Sequence, residues 1–408
     1  MQYIKLIFLF FIWVSLIKNA KGQDGSFDST FGVDGGLVFS IADKDDFGRT
    51  LAVLNDDKIV TAGWYNLIDN LPINRHIYFT KHLPNGDLDT TFGSNGIVNL
   101  TIGSEGSSIS EIEVQSDGKI VGFGNANGNA ILLRLNIDGT LDSSFGSNGV
   151  TNMTSGASFE ILDNGKFIVS GGVSDGFNVF FSISRYFEDG TLDTSFGDNG
   201  TVVADISPER FDLNASIEIQ EDGKMVLVGT TYTNATERKA IIARYLTDGT
   251  LDLTFGGTGF ITTSVGITPG YGIFSDVAIQ EDGKIIAAGL AEQEVGGGLF
   301  DTQSLLVRYN QDGTLDENFG TDGIILTDTA TNGNSLINSI IVQPDNYIVA
   351  IGSSAEPPPS FQSYVTCMKY NSSGILESNF GNNGIFISDF LDSETNTGYD
   401  LVLQATGK

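Results

Sequence analysis

The chain holds two histidines and one cysteine among its 408 residues, which narrows the chemistry open to it. His76 and His82 lie six apart and share a face if the segment is one strand, a start for a metal site. His82, however, falls at the position of Tyr245 and Tyr309 in later segments of similar sequence, so packing is its expected role. No nucleophile-elbow motif accompanies either histidine. Cys367, the lone cysteine, supports neither a cysteine nucleophile nor a thiolate metal site, and it excludes an intrachain disulfide framework. Acids number 51. Segments such as Asp248-Gly249-Thr250-Leu251-Asp252 offer turn oxygens of the kind calcium takes, without the alternating acids of an EF-hand loop. Glycoside hydrolysis needs two carboxylates at a set separation, and no pair stands out. No catalytic, cofactor-binding or metal-binding residue is assigned; calcium is the one cofactor left open.

Stacking is the other chemistry on offer. Trp64 and Tyr65 open a variable segment, Gly63 to Arg75, and are the candidate ligand-binding residues, with a glycan or a protein as partner. The competing role for Trp64 is packing at a sheet edge. Two further long variable segments run from Gly289 to Gln303 and from Gly352 to Phe361.

The elements that would position these residues are repeats. Seven segments end in Phe-Gly, at Phe31, Phe92, Phe145, Phe196, Phe255, Phe319 and Phe380, between 51 and 64 residues apart. A second marker falls between them, as in Asp117-Gly118-Lys119, Asn164-Gly165-Lys166, Asp222-Gly223-Lys224 and Asp282-Gly283-Lys284. The first copy has Asp57-Lys58 and the sixth Asp345-Asn346 at this place. One repeat reads as four strands: Thr201 to Ala204, Ser216 to Gln220, Met225 to Val228 and Ala240 to Tyr245. The Asp-Gly pairs read as two-residue hairpin turns. Four-stranded units of this length point to an all-β chain, a β-propeller of about seven blades. The last copy breaks off at Gly407-Lys408, so the last blade is expected to be incomplete. Each Phe is expected to wedge between neighbouring blades.

A basic residue recurs near the end of the fourth strand: Lys81, Arg134, Arg185, Arg244, Arg308 and Lys369. An acid follows the next turn: Asp89, Asp142, Asp193, Asp252, Asp316 and Glu377. These are expected to pair as charge-assisted hydrogen bonds, within or between blades, rather than to form a ligand-binding ring.

From Ile219-Gln220-Glu221-Asp222-Gly223-Lys224 through Ala243-Arg244-Tyr245 to Leu251-Asp252, and again from Ile279 to Gly320, the chain resembles the delta-60 repeat family of bacterial secreted proteins. The resemblance runs from about Phe27 to the end. It implies a propeller-like fold in an exported or surface protein and brings no shared catalytic residues.

Lys5, the apolar run from Leu6 to Ile17, and Ala20-Lys21-Gly22 before Gln23 read as a secretory leader over residues 1–22. Residues 23–408 are then the repeat domain, without a membrane span, secreted or at the cell surface, in all expectation of a bacterium. A net charge of −30 repels nucleic acid and anionic membranes. Two functions fit. The preferred one is an exported non-enzymatic binding or structural module, expected to be cell-surface or adhesion related. The alternative is a polysaccharide hydrolase or lyase with its site on one propeller face. Loop acids clustered with aromatics at the channel mouth would favour the second, and a channel lined only by repeat-invariant strand residues the first.

Overall fold

The computed structural model describes residues 28, 31–33, 35–41, 46–66, 75–204, 206, 212–232, 237–265, 271–296, 299–330, 333–357, 360, 362–388 and 396–404. The leader segment, residues 67–74 of the first variable segment and the final Gly407-Lys408 lie outside them.

The described residues form strands and turns, with no helix among them. The first sheet is β1 (Asp46–Val53), β2 (Ile59–Asn66), β3 (Arg75–His82) and β4 (Ile97–Leu100). The second is β5 (Ser107–Val114), β6 (Ile120–Ala126), β7 (Asn129–Leu135) and β8 (Val150–Asn152). The third is β9 (Ser158–Ile161), β10 (Phe167–Ser174), β11 (Val179–Tyr186) and β12 (Thr201–Ala204). The fourth is β13 (Asp212–Ile219), β14 (Met225–Tyr232), β15 (Arg238–Tyr245) and β16 (Phe260–Thr263). The fifth is β17 (Tyr271–Ile279), β18 (Ile285–Gly296), β19 (Leu299–Tyr309) and β20 (Ile324–Thr327). The sixth is β21 (Asn334–Val342), β22 (Ile348–Ala355), β23 (Ser363–Tyr370) and β24 (Ile385–Ser388). All pairings inside a sheet are antiparallel, and one parallel pair, Thr302 with Asn334, links the fifth sheet to the sixth.

The sheet boundaries differ from those read in the sequence. Thr201 to Ala204 does not open the fourth sheet; it pairs with β11 and completes the third. The recurring bases therefore sit on third strands, not fourth. A repeat can be cut anywhere in its cycle, and only the pairing fixes where a sheet begins. The turns differ too. Gly118 N–H donates to Gln115 C=O and Gln115 N–H to Lys119 C=O, which is a three-residue loop ending in a left-handed glycine. Only the last loop residue needs positive φ. Asp57 (φ 59) and Asn346 (φ 63) take that place where the first and sixth copies lack glycine.

The core lies between sheets. Val226, Val228 and Ile242 of the fourth sheet pack with Phe274, Ile285 and Leu305 of the fifth, and comparable layers join each sheet to the next. A middle strand such as β14 is covered on both faces, which is why it is apolar almost throughout. Segment 396–404 reaches both ends of the series. Leu401 packs with Val349 and Ile351 of the sixth sheet. Val402 packs with Phe31 and Leu37 against Leu51, Val53 and Ile59 of the first.

First strands carry a bulge at one recurring place: between Gly48 and Thr50, Ile109 and Glu111, Asn214 and Ser216, Phe274 and Asp276, and Ile337 and Ser339. A bulge re-aims the residue after it. It also brings a carbonyl against the second strand: a Cβ on Gly63 would collide with the Phe47 carbonyl, and one on Gly352 with that of Leu336. Close approach, not positive φ, explains the glycine at Gly63, Gly124, Gly289 and Gly352 of the second strands.

Candidate functional site

Three groups of residues have the chemistry for a role. The recurring bases and acids come first. Arg134, Arg185, Arg244 and Arg308 each place Nε 2.8 Å from Oδ2 of Asp142, Asp193, Asp252 and Asp316 in their own sheet. Lys81 Nζ lies 3.8 Å from Asp89. The expected pairing holds for these five, and it is within the sheet. The lysine of the second marker joins it: Lys166 Nζ is 2.8 Å from Asp193 and Lys284 Nζ 3.0 Å from Asp316. In the sixth copy Tyr347 replaces that lysine, and Lys369 lies 4.7 Å over its ring.

The other carboxylate oxygen is also engaged. Asp252 Oδ1 accepts from Thr254 N–H and Oγ1–H, and Asp248 Oδ1 from Thr250 N–H and Oγ1–H. These turn oxygens, which a calcium site would need, already serve the fold. Lys166, Ser195 and Arg185 hold the buried carboxyl of Asp193 well below the usual range, the hydrogen bond from Lys166 contributing most.

The same bases reach the following sheet. Arg134 Nη1 donates to Glu188 C=O at 2.6 Å, and Arg244 and Arg308 donate likewise to Gln311 and Ser372. Each guanidinium also stacks on the Phe of its own sheet, as Arg308 does 4.3 Å over Phe319. That Phe in turn fills the gap to the next sheet. A Cβ on Gly249 would lie 2.7 Å from Phe196, and its φ of +90° also calls for glycine. The Phe-Gly glycine closes the junction: Gly93 N–H donates to Asp138 C=O at 2.7 Å and Gly146 N–H to Asp189 C=O at 2.8 Å. These residues are a joint between sheets. Sequence reasoning found the ion pair and the wedge; it missed the lysine's share and the arginine–phenylalanine stack, although their recurrence together was the available signal.

The second group is the aromatic candidate. Trp64 and Tyr65 stand on β2, not in a loop. The segment looked variable from Gly63 onward, but the strand continues to Asn66. The Trp64 ring stacks on Phe47 at 3.9 Å, and Arg75 lies 4.1 Å over it. Tyr65 is buried and stacks with His76 at 5.4 Å. His76 Nδ1 lies 2.7 Å from Thr101 Oγ1. His82 is buried, with Nε2 2.8 Å from Thr80 Oγ1 and Nδ1 3.0 Å from Gly86 C=O, which is the packing role expected of it. No group of three or more His, Cys, Asp or Glu poised for a metal occurs among the described residues. A second arginine stack lies at the same ends of the strands: Arg238 sits 4.8 Å over Tyr232 and 4.7 Å over Tyr271.

The third group was not singled out in the sequence. First strands pack one against the next, and three of the residues that the bulges re-aim reach a backbone amide of the neighbour. Thr50 Oγ1 accepts from Ile112 N–H at 3.2 Å. Glu111 accepts from Phe159 N–H at 3.0 Å and Ser158 Oγ–H at 3.2 Å. Asp276 accepts from Ile340 N–H at 2.8 Å and Ser216 Oγ–H at 2.9 Å. Asp400 accepts from Leu51 N–H at 3.0 Å, so segment 396–404 does for the first sheet what first strands do elsewhere. Glu113, two residues after Glu111, accepts from Ile161 N–H at 3.3 Å. Burial, and after it the neighbouring charge of Glu218, raise the Glu113 carboxyl to about 8. Burial and Asp276 raise Glu218 to about 8 as well. Burial lifts Asp400 to about 6.

Three segments, residues 115–145, 220–255 and 280–319, match a family model described as a domain of unknown function (DUF5122) beta-propeller. With the four-stranded sheets, this identifies a β-propeller built of repeats. No curated protein matches the sequence. Among solved structures, a protein from Lactobacillus plantarum is 11% identical, with a TM-score of 0.49, over 92% of this chain and 98% of that one. The polysaccharide lyase Uly1 is 11% identical, with a TM-score of 0.46, over 94% and 87%. A protein of unknown function from Dyadobacter fermentans DSM 18053 is 12% identical, with a TM-score of 0.42, over 78% and 93%.

Proposed function

We propose that the chain is an exported, non-enzymatic binding module of the delta-60 repeat kind, acting outside a bacterial cell or at its surface. Its form would be a ring of seven positions. Six are the four-stranded sheets, and residues 31–41 with 396–404 fill part of the seventh. The contacts of Leu401 with the sixth sheet and of Val402 with the first support that reading.

One observation carries the functional reading. The repeat-invariant bases, acids and phenylalanines are consumed in joints between sheets, all at the end of the sheets that holds the marker turns. Variation is left to the opposite end, where second strands give way to third and each sheet passes to the next. Repeat scaffolds place ligands on the surface they are free to vary. A glycan or protein surface meeting the ends of β2, β3, β14 and β15 is the partner of this reading.

The test is a glycan and protein binding screen on the purified chain from residue 23 onward, with Trp64→Ala beside it. Binding to a defined glycan or protein, weakened in Trp64→Ala, is expected. Cleavage of a polysaccharide would overturn the non-enzymatic reading. Absence of any binding or cleavage would leave a scaffold role alone.

A further inference from the structure

The central carboxylates do more than cap a neighbouring strand. Glu111, Glu113, Glu160, Glu218, Asp276 and Asp400 come from β5, β9, β13, β17 and segment 396–404. The charges that bear on them are chiefly one another: Glu160 feels Glu113, Glu218, Glu111 and Asp276, and Asp400 feels Asp276. The remaining first strands, β1 and β21, bring Thr50 and Ser339 to the re-aimed position, and neither titrates. Several acids thus stand half-buried on first strands that pack one against the next, with no base among the groups acting most strongly on them; Arg49, beside Thr50, lies 4.1 Å over the ring of Tyr399, next in the chain to Asp400. A fully ionised set on adjoining strands would repel itself.

We infer that these carboxyl groups form a proton-loaded hub: with protons bound the first strands converge, and as the protons leave in alkaline medium the strands are pushed apart and the inner contacts of the sheets loosen. The geometry adds that Glu113 Oε1 is buried with no hydrogen-bond partner, a setting that suits a neutral carboxyl, and that Glu111, Glu113, Asp276 and Asp400 hold the Phe159, Ile161, Ile340 and Leu51 amides of the neighbouring strands. Strain at the hub is therefore passed directly to the junctions. The raised values of Glu113 and Glu218, about 8 against an ordinary 4.5, place the change across neutral pH.

The experiment is a thermal unfolding series on the purified chain from pH 5 to pH 9, beside Glu113→Gln/Glu218→Gln. The parent is expected to lose several degrees of midpoint across that range. The double variant, which carries no charge at these two places at any pH, is expected to lose clearly less. A parent midpoint that is flat or rises, or an equal loss in the variant, overturns the inference. Should the variant fail to fold, an infrared titration of the parent decides. A carbonyl band of protonated carboxyl groups persisting at pH 7 and vanishing by pH 9 supports the hub. Its disappearance below pH 6 refutes it.

Discussion

At the scale of single residues, the joint is built from groups that each hold several partners. Asp252 takes Arg244 on one oxygen and Thr254 on the other, in a buried setting. Removing one partner of a buried pair strands the other, which typically costs about 3 kcal/mol or more. Asp252→Asn should therefore destabilise the fold by about 3 kcal/mol, read as a lower urea midpoint. Lys81 is the weak copy of the joint. It lies 5.6 Å over Phe92 and 3.8 Å from Asp89, while the arginines hold 2.8 Å to their acids. A groove of about 430 Å³, lined by Lys58, Lys81, Ile137 and Asp138 among others, opens beside it between the first two sheets. Lys81→Arg should supply the missing fork and raise stability by about 1 kcal/mol in the same measurement. The ion pairs were legible in the sequence because base and acid recur in register. The first-strand acids were not. They occupy ordinary alternating positions of a half-buried strand, and only some copies carry them, so nothing local separates Glu113 from a solvated glutamate.

At the scale of elements, the strands were legible and their grouping was not. Alternation and apolar runs mark strands, but pairing across a turn decides which sheet receives Thr201 to Ala204. The loops were half legible. Asp-Gly announces a turn, yet a three-residue loop asks positive φ of its final residue alone. Asp57 and Asn346 bear that conformation at a cost near 1 kcal/mol, part of which glycine gives back through its freer unfolded chain. Asn346→Gly should thus stabilise by a few tenths of a kcal/mol, read as a higher thermal midpoint. Gly352→Ala should do the reverse by a larger amount, because the bulge in β21 leaves no room for a Cβ. The bulge itself left no trace in the pattern. It adds one residue to a strand whose length already varied.

At the scale of the whole molecule, two sets of acids pull stability in opposite directions with pH. Asp89, Asp142, Asp193, Asp252 and Asp316 have lowered values, so their stabilisation is present above the ordinary carboxylate range and is lost as pH falls through it. The first-strand acids and Asp400 have raised values. Their contribution is full below about 4.5, the ordinary value, and declines until about 8 for Glu113 and Glu218. The thermal midpoint should peak in mildly acidic solution and fall on either side, which a pH series checks. The joints also share a heading: Gly93 to Asp138, Arg134 to Glu188 and Arg244 to Gln311 each run from one sheet to its successor in the chain. A ribosome delivers the sheets in that order. Each newly made sheet therefore waits, its arginine and phenylalanine unmet, until the next copy has emerged, and assembly would follow synthesis as a zip fastener follows its slider.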